Sequence, residues 1–550
     1  IRVPMRRELT EAQKNVYLYA PGDRHILVSG PPGTGKTLIA CLRAQELARQ
    51  KKPVVLGMFN RVLAKYSENA GQSAGFKTNT VFTWFLDWWQ RCGVRPCPAS
   101  TSPILIESPY EDREKVKAAG ARWSPEEWKP WWNRSGKPTG AMTVSTEIYV
   151  RNPEAFKAWR LWQRPPMKKQ TSTNIDWEAV AEHLLEHEED IDITVLNLGT
   201  LLIDEGQDFP PGFYKTLKTI CSIAKMRGVE HPPRCFVLAD ENQQLTEENS
   251  TLDEIAATLG IETANRYTLL DNFRNSREIA ELAREFFADV GALPRLPERS
   301  SSRPVLLNAK DLSETVRLIR TWIHNNPGKE TGVFVFSEQT RAAVTAALEH
   351  ELRHPGGRKI TIQTYSWSSR DQNKVSDLLF DAPDIVTVLN MQSCKGLEFD
   401  AVFIVDMHEA RIANGGTDRC RMQRFVAGSR AREWVALIGT RDPDQIPKLA
   451  ANLPGMPYLE RTSESALADL RMTTEAAETS GTQANPDSDS QGKEEWETAA
   501  VEISAKYGLA FEDRRNRQGA FWIYGGNSLA KELEPLGFTF SSTRKGWWKK

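Results

Sequence analysis

A glycine-rich run that ends in lysine and threonine is the first part of the sequence whose residue types could do chemistry. Residues 30–37 read Gly-Pro-Pro-Gly-Thr-Gly-Lys-Thr and fit the pattern GxxxxGK[ST] without a mismatch. Gly30, Gly33 and Gly35 allow backbone N–H groups to surround phosphate oxygens at the start of a helix. In such a loop Lys36 reaches the β- and γ-phosphates, and the Thr37 hydroxyl binds Mg²⁺. The run therefore predicts a nucleoside-triphosphate site.

A pair of acidic residues at the end of an apolar run supplies the second half of such a site. Residues 200–203 predict a buried strand, and Asp204 and Glu205 follow it directly. This position allows Asp204 to hold the metal ion and Glu205 to act as general base on the attacking water. Two acids after a strand are common, but after a phosphate loop they predict nucleotide hydrolysis with ATP and Mg²⁺ as cofactors.

The elements that must position these residues follow an α/β pattern. Short apolar runs alternate with helical patterns through the first 455 residues, which is typical of parallel sheets covered by helices. Buried strands are predicted in two sets, at residues 25–29, 54–58, 200–203 and 235–239, and at residues 332–336, 385–389, 402–406 and 434–438. Residues 265–278 separate the two sets.

Further short motifs accompany these two sites. They are Leu9–Gln13, Asp204–Asp208, Ala239–Gln243, Asn272–Arg274, Lys395–Phe399 and Val426–Ala431. In their residues and their order they resemble the Q motif and motifs II to VI of superfamily 1 helicases, most closely the UvrD/Rep group. The resemblance covers roughly residues 9 to 440. It implies an ATP-driven motor that moves along DNA with 3′–5′ polarity.

The resemblance also implies roles for residues outside the phosphate loop. Gln13 would read the edge of the adenine, and Phe273 would stack on its ring. Gln243 would sense the γ-phosphate. Arg274 and Arg430 would pair with phosphate oxygens and stabilise the charge that develops in phosphoryl transfer.

These groups divide between two predicted domains. Lys36 and the acidic pair belong to the first domain, whereas the two arginines belong to the second. Glu398, in motif V, also belongs to the second domain and is implied to bind the nucleotide. An arginine supplied across a cleft typically raises the rate of phosphoryl transfer by about 10³–10⁵-fold. Hydrolysis would therefore require the domains to close, and their opening and closing would drive stepping along a strand.

The predicted fold class is α/β, with two RecA-like parallel-sheet motor domains in tandem. Residues 1–101 and 176–264 form the first domain, and residues 265–458 form the second. The stretch from 275 to 392 is short, which leaves little or no room for a 2B-type insertion.

Two small aromatic α+β segments lie outside this motor pattern. Residues 102–175 form a tryptophan-rich 1B-type insertion, and residues 496–550 form a C-terminal module behind a disordered linker at 459–495. Both segments show the order helix, glycine, short strand, turn and aromatic strand, with paired tryptophans at 131–132 and 547–548. The first copy resembles a small domain of unknown function from bacterial and plasmid-borne proteins.

The C-terminal module is basic. From residue 505 to residue 550, nine Lys or Arg residues stand against four acids, a net charge of +5. Because basic groups interleaved with aromatic rings suit a single strand, Arg544, Lys545 and Trp547 are predicted to contact nucleic acid; a protein partner is the alternative. Phe540 and Trp522 are expected in the core, since so small a domain must bury large side chains.

Two aromatic runs in the first domain are candidates for the nucleic-acid track. Phe59 and Asn60 stand where motif Ia would fall, and Phe82 and Trp84 stand where motif Ib would fall. Rings there would stack on bases at about 1–3 kcal/mol each without reading sequence. The alternative interpretation is that Phe82 and Phe85, three residues apart, belong to the core.

Features that differ from the helicase pattern keep other functions open. No aromatic residue follows Gln243 in the run to Asn249, where related translocases stack bases during stepping. Residue 392 is glutamine, where the family usually has histidine. A motor on single-stranded DNA is the leading prediction. An RNA-directed motor and a nucleic-acid-sensing ATPase switch are the alternatives.

Bulk composition excludes several classes of protein. The net charge is −1 and the sequence pI is near 6.8, so any basic surface must be local. The sequence contains neither a run of 18 apolar residues nor a signal-peptide pattern. The seven cysteines form no framework, because the close pair Cys92 and Cys97 has no second pair or histidine cluster beside it. Reduced thiols in a cytoplasmic protein without membrane contact are expected.

Overall fold

A computed structural model describes most of the chain. The described residues are 9–59, 61–62, 64–65, 78–125, 141–168, 174–241, 249–287, 293–352, 359–366, 373–409, 423–441, 453–461, 500, 503, 511–513, 520–524, 530–541 and 546–549. The chain divides into two compact units between residues 471 and 472. Within the described ranges, no helix has both the length and the apolar character needed to cross a bilayer.

Strands and helices alternate along the first 287 residues. The strands in chain order are β1 (Ile26–Ser29), β2 (Val54–Met58), β3 (Thr78–Thr80), β4 (Ile104–Glu107), β5 (Arg122–Ser124), β6 (Ala141–Val144), β7 (Arg160–Trp162), β8 (Thr200–Ile203), β9 (Arg234–Ala239) and β10 (Arg266–Thr268). The helices are α1 (Glu11–Lys14), α2 (Lys36–Arg49), α3 (Val81–Arg91), α4 (Arg113–Ala118), α5 (Thr146–Arg151), α6 (Trp177–Glu186), α7 (Pro211–Met226), α8 (Leu252–Leu259) and α9 (Arg277–Glu285).

The first large sheet has six parallel strands in the order β10-β1-β9-β8-β2-β3. Its central strands β1, β9 and β8 are buried along nearly their whole length, which explains their unbroken apolar runs. Strand β10 pairs with β1, although it lies beyond the domain boundary predicted at residue 264. Because the carboxyl ends of parallel strands meet at one edge, the loops that follow β1, β8 and β9 lie together.

The second large sheet has seven parallel strands in the order β13-β14-β12-β15-β16-β11-β17. These are β11 (Val305–Asn308), β12 (Thr331–Val335), β13 (Thr361–Tyr365), β14 (Ile385–Asn390), β15 (Phe399–Val405), β16 (Ala431–Gly439) and β17 (Glu460–Arg461), accompanied by helices α10 (Leu312–Asn325) and α11 (Glu338–Glu351). Trp322 of α10 stacks on Trp434 of β16 with ring centroids 5.4 Å apart, which fixes this helix on the sheet.

The insertion forms an antiparallel sheet of its own in the order β5-β6-β4-β7. Val116 of α4 packs with Ile104, Ile106 and Phe156 in a small core that is separate from the cores of the large sheets. Gly120 follows the helix at φ +103°, a backbone conformation that strongly favours glycine. The insertion is therefore a small α+β unit.

The C-terminal module is a second small antiparallel sheet, in the order β18-β19-β21-β20. Its elements are β18 (Phe511–Asp513), β19 (Phe521–Tyr524), α12 (Ala530–Leu533), β20 (Thr539–Ser541) and β21 (Gly546–Lys549). Gly537 precedes β20 at φ +83°, in the same place that Gly120 has before β5.

The two small sheets confirm the repeat in their topology. In each, a strand, a helix, a left-handed glycine and two further strands follow in chain order, and the last strand pairs between the other two. In both sheets a fourth strand lies beside the first strand of the repeat. In the insertion this fourth strand is β7, which follows the repeat in the chain, and in the module it is β18, which precedes the repeat. The aromatic strand expected at Trp131 and Trp132 lies outside the described residues, and within them β5 pairs with β6, which begins at Ala141.

The predicted fold class is confirmed. Two parallel α/β sheets of RecA-like type stand in tandem, with a small α+β insertion in the first and a small α+β unit at the C-terminus. The strands predicted at 54–58 and 200–203 have those bounds, and the other predicted strands differ by at most three residues at either end. The predicted linker lies outside the described residues from residue 462 onward.

Candidate active site

The phosphate loop lies between β1 and α2, at the carboxyl edge of the first sheet. Gly35 precedes the helix at φ +84° and Gly33 has φ +82°, so side chains at either position would be strained. A Cβ atom at Gly30 would lie 2.7 Å from the carbonyl oxygen of Leu269, and one at Gly33 would overlap the side chain of Asn272. The glycine spacing is therefore required by close backbone approach as well as by loop curvature.

Lys36 occupies the centre of the loop. Its ammonium group donates hydrogen bonds to the carbonyl oxygens of Gly30 at 2.5 Å and Pro31 at 3.1 Å, and it lies 4.0 Å from the Asp240 carboxylate. Burial lowers the pKa of Lys36, and the Asp240 carboxylate opposes that shift. The loop's own carbonyls thus hold the ammonium group where phosphate oxygens could replace them.

Thr37 and Asp204 meet beside the loop. The Thr37 hydroxyl donates to Asp204 Oδ2 at 2.6 Å, although the two residues lie 167 positions apart. Burial, and then the neighbouring Glu205 carboxylate, raise the pKa of Asp204 to about 6. A hydroxyl and a carboxylate are the hard oxygen ligands that Mg²⁺ takes in phosphate sites, so these two residues fit that ion.

Glu205 is held in an uncommon backbone conformation with φ +55°. Gln207 Nε2 donates to Glu205 Oε2 at 2.7 Å, while Gln207 Oε1 accepts the backbone N–H of Asp240 at 2.8 Å. Gln207 is fully buried and connects the loop after β8 to the loop after β9. Sequence reasoning gave this glutamine no role, although it stands within motif II.

Lys395 enters this group from the second sheet. It follows β14, is 1% exposed, donates to Asp208 and lies 3.5 Å from Glu205 Oε2. Burial would raise the pKa of Glu205, but Lys395 and then Lys36 more than offset this and lower it. A cation from the second sheet therefore acts directly on the candidate base. In the sequence, Lys395 stands out only as part of motif V.

Arg274 and Arg430 both line the cleft beside the loop, Arg274 from the segment after β10 and Arg430 from the residue before β16. Arg274 donates to Glu398 Oε1 at 2.7 Å and to the Ser429 carbonyl at 3.3 Å. Arg430 is fully buried and donates to the Val426 carbonyl at 2.9 Å. Burial, and then Arg274, lower the pKa of Arg430 to about 10. Two guanidinium groups thus share one small volume, an arrangement that favours an anion between them.

Residues from both sheets line one cleft with about 460 Å³ of empty space. Its lining residues are Pro32, Gly33, Gly35, Lys36, Thr37, Leu38, Glu205, Arg274, Gly396, Glu398 and Arg430. The predicted groups of the first sheet, Arg430 of the second and Arg274 from the segment between them are therefore adjacent in space. Gln243, predicted to sense the γ-phosphate, lies outside the described residues.

Gln13 and Phe273, the predicted adenine contacts, both touch the phosphate loop. Gln13 is buried, and its Nε2 donates to the Thr34 carbonyl at 3.2 Å. The Phe273 backbone N–H donates to the Gly33 carbonyl at 2.9 Å, while its ring is 52% exposed. An exposed ring fixed at the backbone beside the loop is suited to stack on a base.

The aromatic residues expected on the nucleic-acid track of the first domain differ in exposure. Phe82 is 39% exposed on α3, whereas Trp84 is buried and lies against Phe85. Phe59 is half-buried and meets Phe209 edge-on at 5.6 Å. The strand contact predicted for Trp84 is therefore corrected, since its ring belongs to the core. Asn60 lies outside the described residues.

Trp547 in the C-terminal module is also corrected. Its ring is fully buried, 5.1 Å from the half-buried Phe540 ring, so it is not on the surface that was expected to contact bases. Trp522 is buried, as predicted for a core residue. Arg544 and Lys545 lie outside the described residues.

Comparisons with known proteins give distant similarity to helicase structures. No protein-family model matches the chain, and no curated protein sequence does. The C-terminal domain of a possible DNA helicase from Lactobacillus plantarum WCFS1 is 18% identical with a TM-score of 0.23, covering 34% of this chain and 97% of that one. The DUF1998 helicase MrfA, bound to DNA and AMPPNP, is 12% identical with a TM-score of 0.41, covering 80% of this chain and 50% of that one. Mss116p, bound to ssRNA and AMP-PNP, is 12% identical with a TM-score of 0.39, covering 82% and 74%.

Proposed function

We propose that this protein is an ATP-driven motor of the superfamily 1 helicase type that acts on single-stranded nucleic acid, with DNA as the leading substrate and 3′–5′ polarity. One observation carries the proposal. Lys36 and Glu205 from the first sheet share a cleft with Arg430, which precedes β16 of the second sheet, and with Arg274, which lies in the segment between the two sheets. Such a cleft couples hydrolysis to the distance between two domains, which is what a translocating motor requires.

The cleft assigns a task to each side chain. Lys36 and the two arginines would hold the phosphate oxygens, and the arginines would stabilise the charge that develops during transfer. Glu205 would orient the attacking water and accept its proton, held in place by Gln207. Bound Mg²⁺ would neutralise phosphate charge, with Thr37 and Asp204 as its protein ligands.

Lys395 gives the two sheets a second connection. Its ion pair with Asp208 crosses between the domains at nearly zero exposure, so opening the cleft would separate two buried charges. Breaking such a pair costs several kcal/mol unless water or ligand replaces the partner. The nucleotide site and the Lys395 pair would therefore open and close as one unit.

A nucleic-acid-sensing ATPase switch is the second candidate. The run from Gln243 to Asn249 has no aromatic residue to stack bases during stepping, and residue 392 is Gln. An enzyme of this kind would hydrolyse ATP in response to a strand without unwinding it. An RNA-directed motor uses the same cleft and differs only in the strand that stimulates it.

One experiment separates these functions. ATP turnover is measured with single-stranded DNA, with single-stranded RNA and with neither, and forks with 3′ or 5′ tails are tested for unwinding. Stimulation by DNA with unwinding from a 3′ tail is expected. Stimulation without unwinding supports the switch, and stimulation by RNA alone supports the RNA motor. Turnover that ignores both strands would contradict the proposal, and Lys36→Ala is the inactive control.

A further inference from the structure

A second concave site lies between the insertion and the first α/β domain. It holds about 760 Å³ of space that is partly open to solvent, and it shares no lining residue with the nucleotide cleft. Its walls carry four aromatic rings and two guanidinium groups, from Trp89, Arg95, Tyr149, Trp159, Arg160 and Trp162. This concentration of flat side chains has no part in the nucleotide chemistry described above.

The three indole rings of this pocket are fixed in orientation. Trp89 Nε1 donates to the Gln163 carbonyl at 3.0 Å, Trp159 Nε1 donates to Asp112 at 3.1 Å, and Trp162 Nε1 donates to Glu107 at 3.3 Å. Each ring N–H is therefore already bonded. Trp89 and Tyr149 are buried and form the floor of the pocket, so the apolar surface offered to a ligand comes from the half-buried rings of Trp159 and Trp162. Rings locked in this way lose little entropy when something stacks on them.

Arg160 adds a planar cation to this surface. Its guanidinium carbon lies 4.0 Å from the centre of the Trp162 ring, and among the described residues no carboxylate forms an ion pair with it. A guanidinium stacked on an indole keeps its N–H groups at the edge and presents its outer plane to a second flat group. Arg95, by contrast, is engaged by both oxygens of Asp190, at 2.5 and 3.0 Å. Arg160 is thus the group in this pocket best placed to meet an anion.

We propose that this pocket binds one unstacked nucleotide, with its base among the aromatic rings and its phosphate on Arg160. Flat rings with fixed orientation suit a heterocycle, and the guanidinium beside them suits the phosphate that accompanies every base in a strand. The inference rests on the proposed function, since it gives the motor a base-holding site outside the cleft. The same chemistry belongs to a nucleotide within a strand and to a free mononucleotide.

The test uses the full-length chain and distinguishes binding of the base from binding of the phosphate. A labelled 15-mer of thymidylate and a 15-mer abasic sugar-phosphate strand of equal charge are titrated by fluorescence anisotropy, with the nucleotide cleft saturated by a non-hydrolysable ATP analogue. The native protein is expected to bind the thymidylate strand roughly 10-fold more tightly, since one stacked base is typically worth about that factor. Thymidine monophosphate is then added as competitor: displacement of the strand identifies a free nucleotide as a ligand, and persistence identifies the strand.

Two variants and a control localise the effect. Trp162→Leu should reduce the preference for bases over abasic strand towards unity, whereas Arg160→Gln should weaken both strands and lower the salt slope by about one. Arg122→Gln, an exposed cation on β5 at the opposite edge of the same sheet, should leave the base preference unchanged.

A measurement without substitutions guards against variants that fail to fold. A strand carrying 5-iodouracil is photo-crosslinked to the native protein, and a crosslink in the peptide that contains residues 159–162 is expected. Equal affinity for base-bearing and abasic strands, or crosslinks found only elsewhere, would contradict nucleotide binding in this pocket. ATP turnover that a strand still stimulates would, in that case, continue to support the proposed motor function. Absence of both binding and stimulation would instead refute the proposed function.

Discussion

The nucleotide cleft and the aromatic residues expected to contact a nucleic-acid strand differ in their burial and in their bonding partners. In the cleft, polar side chains are buried and bonded to one another, as when Thr37 donates to Asp204. Among the expected strand contacts that the structure describes, Trp84 and Trp547 are buried in apolar cores, whereas Phe82 is 39% exposed. A buried charge needs a partner, so its position reveals chemistry, whereas an aromatic ring serves a core and a binding surface equally well.

The largest expected effect tests whether the cleft works as one site. Arg430→Lys keeps the positive charge but loses the planar fork that meets two phosphate oxygens. We expect strand-stimulated ATP turnover to fall by about 10³-fold or more, with nucleotide binding changed far less. Turnover is measured under saturating ATP and Mg²⁺, and binding is measured with a fluorescent ATP analogue.

A matched surface substitution controls for the loss of an arginine. Arg317→Lys alters an exposed ion pair with Glu314 on α10 and should leave turnover within twofold of the native rate. Near-native turnover of Arg430→Lys would show that the second sheet supplies no transition-state contact. The nucleotide cleft would then no longer be better defined than the predicted strand contacts.

The cleft motifs were predictable because each is local in sequence. The phosphate loop, the acidic pair and the arginine motifs each span fewer than ten residues, and the strands that carry them were found within three residues of their predicted bounds. The pairing between Lys395 and Asp208 was not predictable in the same way, because these residues lie 187 positions apart. Their contact depends on how the two sheets meet.

The second prediction tests that contact. Lys395→Met leaves the Asp208 carboxylate buried without its cation, which should lower the free energy of unfolding by roughly 3–5 kcal/mol. Combining it with Asp208→Asn removes both charges of this pair and should recover part of that loss, because Glu205, 3.5 Å from Lys395, still loses its cation. Thermal and denaturant unfolding of the four proteins gives the coupling energy directly. Additive losses in the double variant would mean that the pair does not join the two sheets.

The third prediction compares two carboxylates of the second domain, the partly buried Glu398 and the buried Glu330. At Glu398, Arg274 and then Arg432 outweigh burial and lower the pKa to about 2. At Glu330, burial and then the Asp381 carboxylate raise the pKa to about 8, and Oε1 has no hydrogen-bond partner among the described residues. A carboxylate inside the cleft is therefore stabilised in its charged form, and one outside it in its neutral form.

The sign of the pH dependence follows from the raised pKa of Glu330. The folded state binds the proton more tightly, so the stabilisation is complete below the unfolded pKa of 4.5 and is lost as pH rises through about 8. Glu330→Gln does not titrate and should be more stable than the native protein at pH 8.5, by on the order of a few kcal/mol, with the difference shrinking towards pH 5. Denaturant unfolding across this range measures the change. Glu460→Gln, an exposed site on β17, should show no such trend.

Aromatic roles were the least predictable part of the molecule. Phe82 and Phe85 occupy one helix at a spacing of three. From the sequence alone, either ring could lie in the core or on the surface. The structure separates them: Phe85 is fully buried and packs 4.7 Å from the Trp177 ring, whereas Phe82 is 39% exposed. The helix register relative to the sheet decides this difference, and no local pattern encodes it.

The smallest expected effect uses this pair as its own control. Phe82→Ala should leave the free energy of unfolding nearly unchanged and weaken single-strand binding by about 1–3 kcal/mol if the ring stacks on a base. Phe85→Ala should do the reverse, costing roughly 3–5 kcal/mol of folding stability while the protein that remains folded keeps its affinity. Anisotropy with labelled oligothymidylate and denaturant unfolding measure the two quantities on each variant. Unchanged binding in Phe82→Ala would remove this ring of motif Ib from the strand-contact surface and leave Phe59 and the insertion pocket as aromatic candidates.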